Sequence, residues 1–264
     1  MAESLFQPFP MLSGRRAQAW RHQPAYRRPR HFHTEPELNI VFRGSAVIGL
    51  GDGVVHANAG DVVLFHPGQD HELLAASVDL QLFVVALRPE VAERACSPLA
   101  RASSHGCRLT ASDLSSVEDQ LGALGALVDG NAVEEQLASL FQEVQGKLAT
   151  NHVLSRRALQ EISAHPETSG SDLAERLGVD PSVLSRHFHE DLGLTFVTYR
   201  ARQRAMTFIR LVDAGQSLTR ASQEAGFGSY AQCHRVITRA LGCAPHKYFA
   251  GERSRIDQAI EPRT

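Results

Sequence analysis

The sequence predicts an α+β chain of two dissimilar halves: an N-terminal β-barrel of jelly-roll type with a helical hairpin, then an all-α region. Three observations carry this. Between Pro36 and Pro89 short β-branched runs alternate with turn signals, the rhythm of a small barrel or sandwich. Residues 112 to 149 switch to helical period. Toward the C-terminus two helix-turn-helix patterns follow one another with a single long helix between them.

The strands are read at LNIVF (38–42), SAVIGL (45–50), GVVHA (53–57), DVVLF (61–65) and LQLFVVAL (80–87), divided by Gly44, Gly51-Asp52-Gly53, Gly60 and Pro67-Gly68. Before them, residues 14–30 interleave arginines with Trp20, His22 and Tyr26. An isolated peptide of this kind would suggest nucleic-acid binding; ahead of a barrel it reads as a strand with solvated charges. Leu114, Val117, Leu121, Leu124 and Leu127 form one helical stripe, and Val133, Leu137, Leu140, Phe141, Val144 and Leu148 another, with Asp129-Gly130-Asn131 as the hinge of an antiparallel pair. Such a pair has to bury its stripe, on its own barrel or against a second copy.

The first helix-turn-helix runs from Ser171 to Gly193. Leu173, Ala174 and Leu177 mark its first helix, Gly178 the turn, and Asp180-Pro181 the start of the second, as N-cap acceptor and ring-fixed first position. Leu184 and Phe188, flanked by Val183 and His187, face inward, which leaves Ser182, Ser185, Arg186 and His189 outward before Gly193 ends the helix. In the second unit, Ser217 to Phe249, Ser217 and Ser229 are N-caps and Gly226-Phe227-Gly228 is the turn, plugged by Phe227. Cys233, Val236 and Ile237 face the core; Tyr230, Gln232 and Arg235 reach out.

GFGSYAQCHRVITRALGCAPHKYF (226–249) resembles the C-terminal signature of the AraC/XylS family of bacterial transcription regulators, and LAERLGVDPSVLSRHFHEDLG (173–193) the first half of the same domain. Ser222 stands where that family usually has Ala, Cys233 and Ile237 where it usually has Phe, and Phe249 where it often has Arg. The resemblance covers roughly residues 155 to 250 and implies double-stranded promoter DNA, a small-molecule effector and RNA polymerase as partners, and a homodimer. It also implies a linker-helix arginine, here Arg204. Residues 196–213, read as one helix, span roughly 27 Å at about 1.5 Å per residue, enough to hold two recognition helices near the ~34 Å spacing of adjacent major-groove segments. Ser182, Ser185, Arg186, Ser229, Tyr230, Gln232 and Arg235, with Arg204, are therefore the expected DNA contacts. Arg186 and Arg235 occupy equivalent places, and guanidinium suits bidentate contact with guanine or a phosphate clamp.

Charge agrees mildly. Residues 152 to 253 carry 13 Lys and Arg against 10 Asp and Glu, while residues 1 to 151 carry 12 against 17. A composition 43% hydrophobic and 21% charged is ordinary for a soluble protein. No apolar run reaches the ~20 residues of a membrane helix, and MAESLFQPFPM lacks a signal-peptide layout, so a cytoplasmic protein is expected. Cys96, Cys107, Cys233 and Cys243 show no CxxC spacing and read as reduced thiols.

In the β half, HFHTEPELNIVFRG (31–44) and GDVVLFHPGQDH (60–71) resemble the two cupin motifs, the first with complete spacing and the second with one extra residue before Pro67. The resemblance implies that His31, His33, Glu37 and His71 can form a set suited to Fe, Mn, Ni or Zn. Sensor domains of AraC-type regulators often show this pattern without a metal. The expectation is therefore no cofactor, with these groups as polar contacts for an effector, Trp20, Phe42 or Tyr26 as apolar walls, and His66 in a structural role. A divalent metal is the alternative, and a cupin oxygenase or isomerase with an appended regulatory domain the rival function. The expected layout is a cupin-like sensing barrel (1–110), a dimerisation hairpin (111–150), a double helix-turn-helix (151–250) and a tail (251–264).

Overall fold

A computed structural model of the chain describes residues 6–22, 28–95, 107–124, 129–147, 153–165 and 168–252. Tyr26, Cys96, Leu127, Leu148 and nearly all of the tail lie outside them. Strands β1 (Ala17–Arg21), β2 (Glu37–Arg43), β3 (Ser45–Leu50), β4 (Gly53–Asn58), β5 (Asp61–Phe65), β6 (His71–Ala76), β7 (Gln81–Leu87) and β8 (Cys107–Arg108) form two facing antiparallel sheets of jelly-roll type. One is five-stranded in the order β1-β7-β2-β5-β8, the other three-stranded in the order β4-β3-β6. The five strands read between residues 38 and 87 are present within a residue or so, while the strand read over 14–30 is confined to Ala17–Arg21 among the described residues. Strand β6 was not anticipated, because half of it is exposed and its apolar residues do not alternate.

The larger sheet is covered on both faces, and strand period divides its side chains between two cores. Leu38 and Ile40 of β2, Val62 and Leu64 of β5, and Val85 and Leu87 of β7 point to a core shared with helices α2 (Ala111–Ala123) and α3 (Gly130–Lys147), where Val117, Leu121, Leu137, Leu140, Phe141 and Val144 are buried. The hairpin thus buries its stripe on its own barrel. Val41, Val63, Phe65 and Leu82 point the other way, into the space between the sheets, with Ile48 and Leu50 of β3 opposite. Glu37 and Asn39 share that inward face at the end of β2, and both are buried.

A short helix α1 (Pro89–Ala95) follows β7, and α4 (Val153–Ala164) leads into the helical half. There, α5 (Gly170–Leu177) and α6 (Pro181–Leu192) are joined at Gly178, whose φ of 69° suits glycine. The Asp180 side chain accepts a hydrogen bond from Ser182 N, and Pro181 occupies the first turn. Helix α7 (Phe196–Asp213) is the uninterrupted linker, capped by Thr195. Helices α8 (Leu218–Glu224) and α9 (Tyr230–Leu241) begin at the anticipated serine caps, Ser217 and Ser229. A short α10 (Pro245–Lys247) runs into a π-helical turn at Tyr248–Glu252, with Tyr248 fully buried.

The unit of α5 and α6 has its own core, in which Phe188 meets Phe196 and Tyr199 edge-on. The second unit does not. Its core of Phe208, Ile209, Ala221, Phe227, Cys233, Ile237, Leu241 and Tyr248 also takes in Phe6 and Phe32 from the N-terminal half. The sequence boundary near residue 150 is thus not a boundary in packing.

Candidate functional site

Two constellations stand out. On the helical half, the outward residues at the starts of α6 and α9 are free to make contacts. Ser182, Ser185 and Arg186 are exposed, as are Ser229, Tyr230 and Arg235, while Leu184, Phe188, Cys233 and Ile237 anchor the opposite faces. Gln232 is half-buried and accepts a hydrogen bond from Gly228 N at 3.0 Å, bracing the turn. Arg204 differs from the exposed arginines. It is partly buried, a side chain on Gly226 would lie 3.6 Å from its Nε, and burial followed by the nearby Arg200 charge lowers its pKa. Its Nε is buried beside the second turn with no hydrogen-bond partner among the described residues. The family-unusual Ser222, Cys233 and Ile237 are all buried in the second core, and burial pushes the Cys233 thiol up.

The second constellation is built from the segment 31–33, the start of β2 and the loop 66–71. His31 and His71 pair through two backbone hydrogen bonds, His31 N to His71 O at 3.1 Å and His71 N to His31 O at 2.9 Å. Gly68 N donates to His33 O at 3.0 Å, so the two histidine-bearing segments are stitched together. Candidate ligand atoms of His31, His33 and His71 all lie within 4.8 Å of one another. Glu37 Oε2 is 3.1 Å from His33 Nε2 and 3.9 Å from His71 Nε2. His71 is thus brought to His31, His33 and Glu37, and all four are buried.

The imidazoles are oriented from behind. His31 Nδ1 faces Pro29 O at 2.8 Å and His71 Nδ1 faces Gln69 O at 3.1 Å, contacts that place the proton on Nδ1 and leave Nε2 a bare lone pair. His71 Nε2 and His33 Nδ1 are buried with no hydrogen-bond partner. Burial lowers His71 to about 4 against the pull of Glu37. Burial, with His71, Arg28 and His33 adding to it, holds His31 well below its usual value. Burial would raise the Glu37 carboxyl, but the His33 hydrogen bond, the His71 and His33 rings and the Asn39 amide outweigh it and hold it at about 2. At neutral pH the cluster therefore presents a carboxylate and neutral imidazoles of His31 and His71.

Aromatic rings close the cluster. Phe65 stacks on His71 at 4.1 Å, and Phe9 meets His33 at 5.1 Å. Trp20, expected as a wall, touches Phe9 at 4.7 Å and reaches His33 only through it. Phe42 is not a wall. It lies with Phe83 at 5.3 Å on the hairpin side of the larger sheet, because its place in β2 directs it away from Glu37. His66 is buried, and its backbone N donates to Gln69 Oε1 at 3.1 Å. Glu35 is a residue the sequence reading passed over: it is buried, 3.8 Å from His33 Nδ1, and paired with Arg88 at 2.7 Å. The arginines of the 14–30 segment that the structure describes include several with internal partners. Arg16 pairs with Glu134 at 2.7 Å, Arg28 donates to Gln7 and Pro8 O, and Arg30 pairs with Asp70 at 2.8 Å.

A sequence model of the AraC-like ligand binding domain matches residues 14–162, and a helix-turn-helix domain model matches residues 173–251. The chain belongs to the AraC-like family of transcription regulators. Its N-terminal half is the ligand-binding domain and its C-terminal half the DNA-binding one. Among solved structures, this regulator is similar to ToxT from Vibrio cholerae, with 13% identity, 89% of this chain and 97% of that chain covered, and a TM-score of 0.46. A ToxT complex with (E)-4-(8-methylnaphthalen-1-yl)but-3-enoic acid matches with the same identity and coverage and a TM-score of 0.47. The AraC-like transcriptional activator CuxR matches at 11% identity over 80% of this chain and 78% of that one, with a TM-score of 0.35. No curated protein sequence matches the regulator. Among the described residues no helix is long and apolar enough to cross a membrane.

Proposed function

We propose that the protein is a sequence-specific DNA-binding regulator whose promoter binding is set by what occupies the His31–His33–His71–Glu37 pocket. The observation that carries the DNA reading is the pair of capped recognition helices, α6 and α9, with Arg186 and Arg235 exposed at equivalent places and the continuous α7 between them. Selection of binding sites from random DNA with the full-length protein, followed by footprinting, tests it. Two protected segments about one helical turn apart are expected; salt-sensitive protection indifferent to sequence would refute it.

For the occupant, the geometry favours a divalent transition-metal ion over the organic effector expected from the sequence. The donor set fits: a buried carboxylate lacking a full positive partner, imidazoles turned inward by carbonyls behind them, and the orphaned His71 Nε2. In a tetrahedral site with metal–nitrogen bonds of about 2.1 Å the ligand atoms stand ~3.4 Å apart, so histidine atoms now within 4.8 Å of one another would need to draw in by up to about 0.7 Å each. Bound there, such an ion supplies positive charge to Glu37 and ties the two histidine segments together. Elemental analysis of protein purified without added metal tests this, with one equivalent per chain expected. A metal-free protein whose promoter binding responds to a small organic molecule would return the pocket to that class of effector.

The regulatory reading is preferred to a cupin enzyme because the outer sides of both histidine-bearing segments are packed on the DNA-binding half, through Phe32 and through Gly68 and Asp70. RNA polymerase contact and homodimerisation belong to the same proposal. Because the hairpin's apolar stripe is committed to the barrel, a second copy would meet its polar outer face.

A further inference from the structure

The segments that carry the histidines have two faces. In the run 31–33 the flanking histidines turn into the pocket while Phe32, 1% exposed, turns into the core of the second helix-turn-helix unit. In the loop 67–71, His71 enters the pocket, while Pro67 O accepts from Gln203 Nε2 at 3.0 Å and Gly68 O from Arg202 Nη1 at 2.9 Å. Arg202 Nη1 also bonds Asp70 Oδ1 at 2.5 Å, and its guanidinium lies 4.8 Å over the Phe32 ring. The other Asp70 oxygen holds Arg30. One side chain on the linker helix thus touches both segments, through the residues next to His31, His33 and His71.

The same half of the protein grips the far ends of both recognition helices. Gln69 Nε2 donates to Leu192 O at 2.8 Å and Asp52 N to Gly193 O at 3.1 Å, at the end of α6. Phe6 N, whose residue pairs with Phe32, donates to Ala240 O at 2.9 Å, at the end of α9. The N-terminal half thus contacts the linker and the ends of both recognition helices.

We infer that Arg202 is the positioning residue through which the occupancy of the His31–His33–His71–Glu37 pocket sets the relative placement of the two recognition helices. The inference rests on the occupancy reading given above. Drawing the histidines together moves Phe32 and Asp70 with them, and Arg202, clamped between those two, carries the movement into α7. Arg202 holds the role because it makes a charged, a carbonyl and an aromatic contact to those segments at once. Its removal leaves Asp70 paired with Arg30, so the fold keeps a partner for the buried carboxylate.

The test uses the full-length protein and Co2+ as the probe. Occupancy is read from the Co2+ absorption and from quenching of Trp20, the single tryptophan, whose ring lies 4.7 Å from that of Phe9 beside His33. Transmission is read from amide hydrogen exchange over Phe196–Asp213. In the wild type, Co2+ should alter that exchange about fivefold or more, the lower end of usual coupling between sites. In Arg202→Gln, Co2+ should bind with an unchanged midpoint yet leave the exchange of α7 unaltered. Asp70→Asn, which weakens the contact from the other side, should give the same split. Arg202→Lys, which keeps the cation, should restore part of the response, a rescue that a mere packing role would not show. Bound Co2+ with equal α7 responses in the wild type and Arg202→Gln, or with none in the wild type, would overturn the role of Arg202 and leave the pocket reading standing. Failure of Co2+ to enter the pocket would overturn both.

Discussion

Replacing Phe32 by alanine should weaken the DNA-binding half of the protein although residue 32 belongs to the ligand-binding half. The ring is 1% exposed, 5.7 Å from Phe6 and 4.8 Å from the Arg202 guanidinium, inside the core of the second helix-turn-helix unit. Truncating a buried phenylalanine costs about 3–5 kcal/mol, through lost transfer energy and the cavity left behind. Loss of the cation–π contact adds about 0.5–2 kcal/mol. If the two halves melt as one unit, each kcal/mol moves the midpoint by about 2–4 °C at this chain size, so a fall of roughly 7–28 °C is expected. Amide exchange should place the loss in Tyr230–Leu241. Phe141→Ala, which empties the core between hairpin and barrel, serves as the control: similar overall destabilisation, with exchange rising first in the barrel and hairpin. Equal protection of α9 in Phe32→Ala and the wild type would refute the shared core.

Other expectations follow from the same contacts. Arg186→Ala and Arg235→Ala should each cost about 1–3 kcal/mol of specific DNA affinity and relax preference at separate base positions; footprints that weaken uniformly would make them phosphate contacts instead. Gly51→Ala should push the β3–β4 turn off the end of α6, because a Cβ on Gly51 would stand 2.1 Å from Gly193 O; slower exchange at Asp52 N in the wild type than in the variant is the readout. Glu37→Gln and His71→Ala should abolish one-to-one Co2+ binding in a titration followed by Trp20 emission, since removing one ligand leaves the others ill placed.

The parts of the fold that announce themselves locally were legible. Asp180-Pro181, Ser217, Ser229, Gly178 and Gly193 are caps and turns whose chemistry acts within a few residues, and the helices begin and end where they say. The HxH spacing likewise marks inward positions, since residues two apart share a face. What sequence reading missed lies across the chain. Nothing about Phe9, Phe32 or Arg202 distinguishes a pocket wall or a contact between halves from an ordinary core or linker residue. Gly51 and Gly193 read correctly as turn and cap, yet their close approach is a tertiary fact. Phe42, expected as one of the apolar walls, lies on the hairpin side, because the pleat of β2 sends it there. Helix α4 is an element that the reading of the sequence did not include.

The central claim is that pocket occupancy governs DNA binding, and fluorescence anisotropy of the full-length protein on a selected DNA site tests it directly. The dissociation constant measured with Co2+ in the pocket should differ from that of the metal-free protein by about fivefold or more, and the difference should vanish in Glu37→Gln. Identical affinities with the pocket filled and empty would contradict the account.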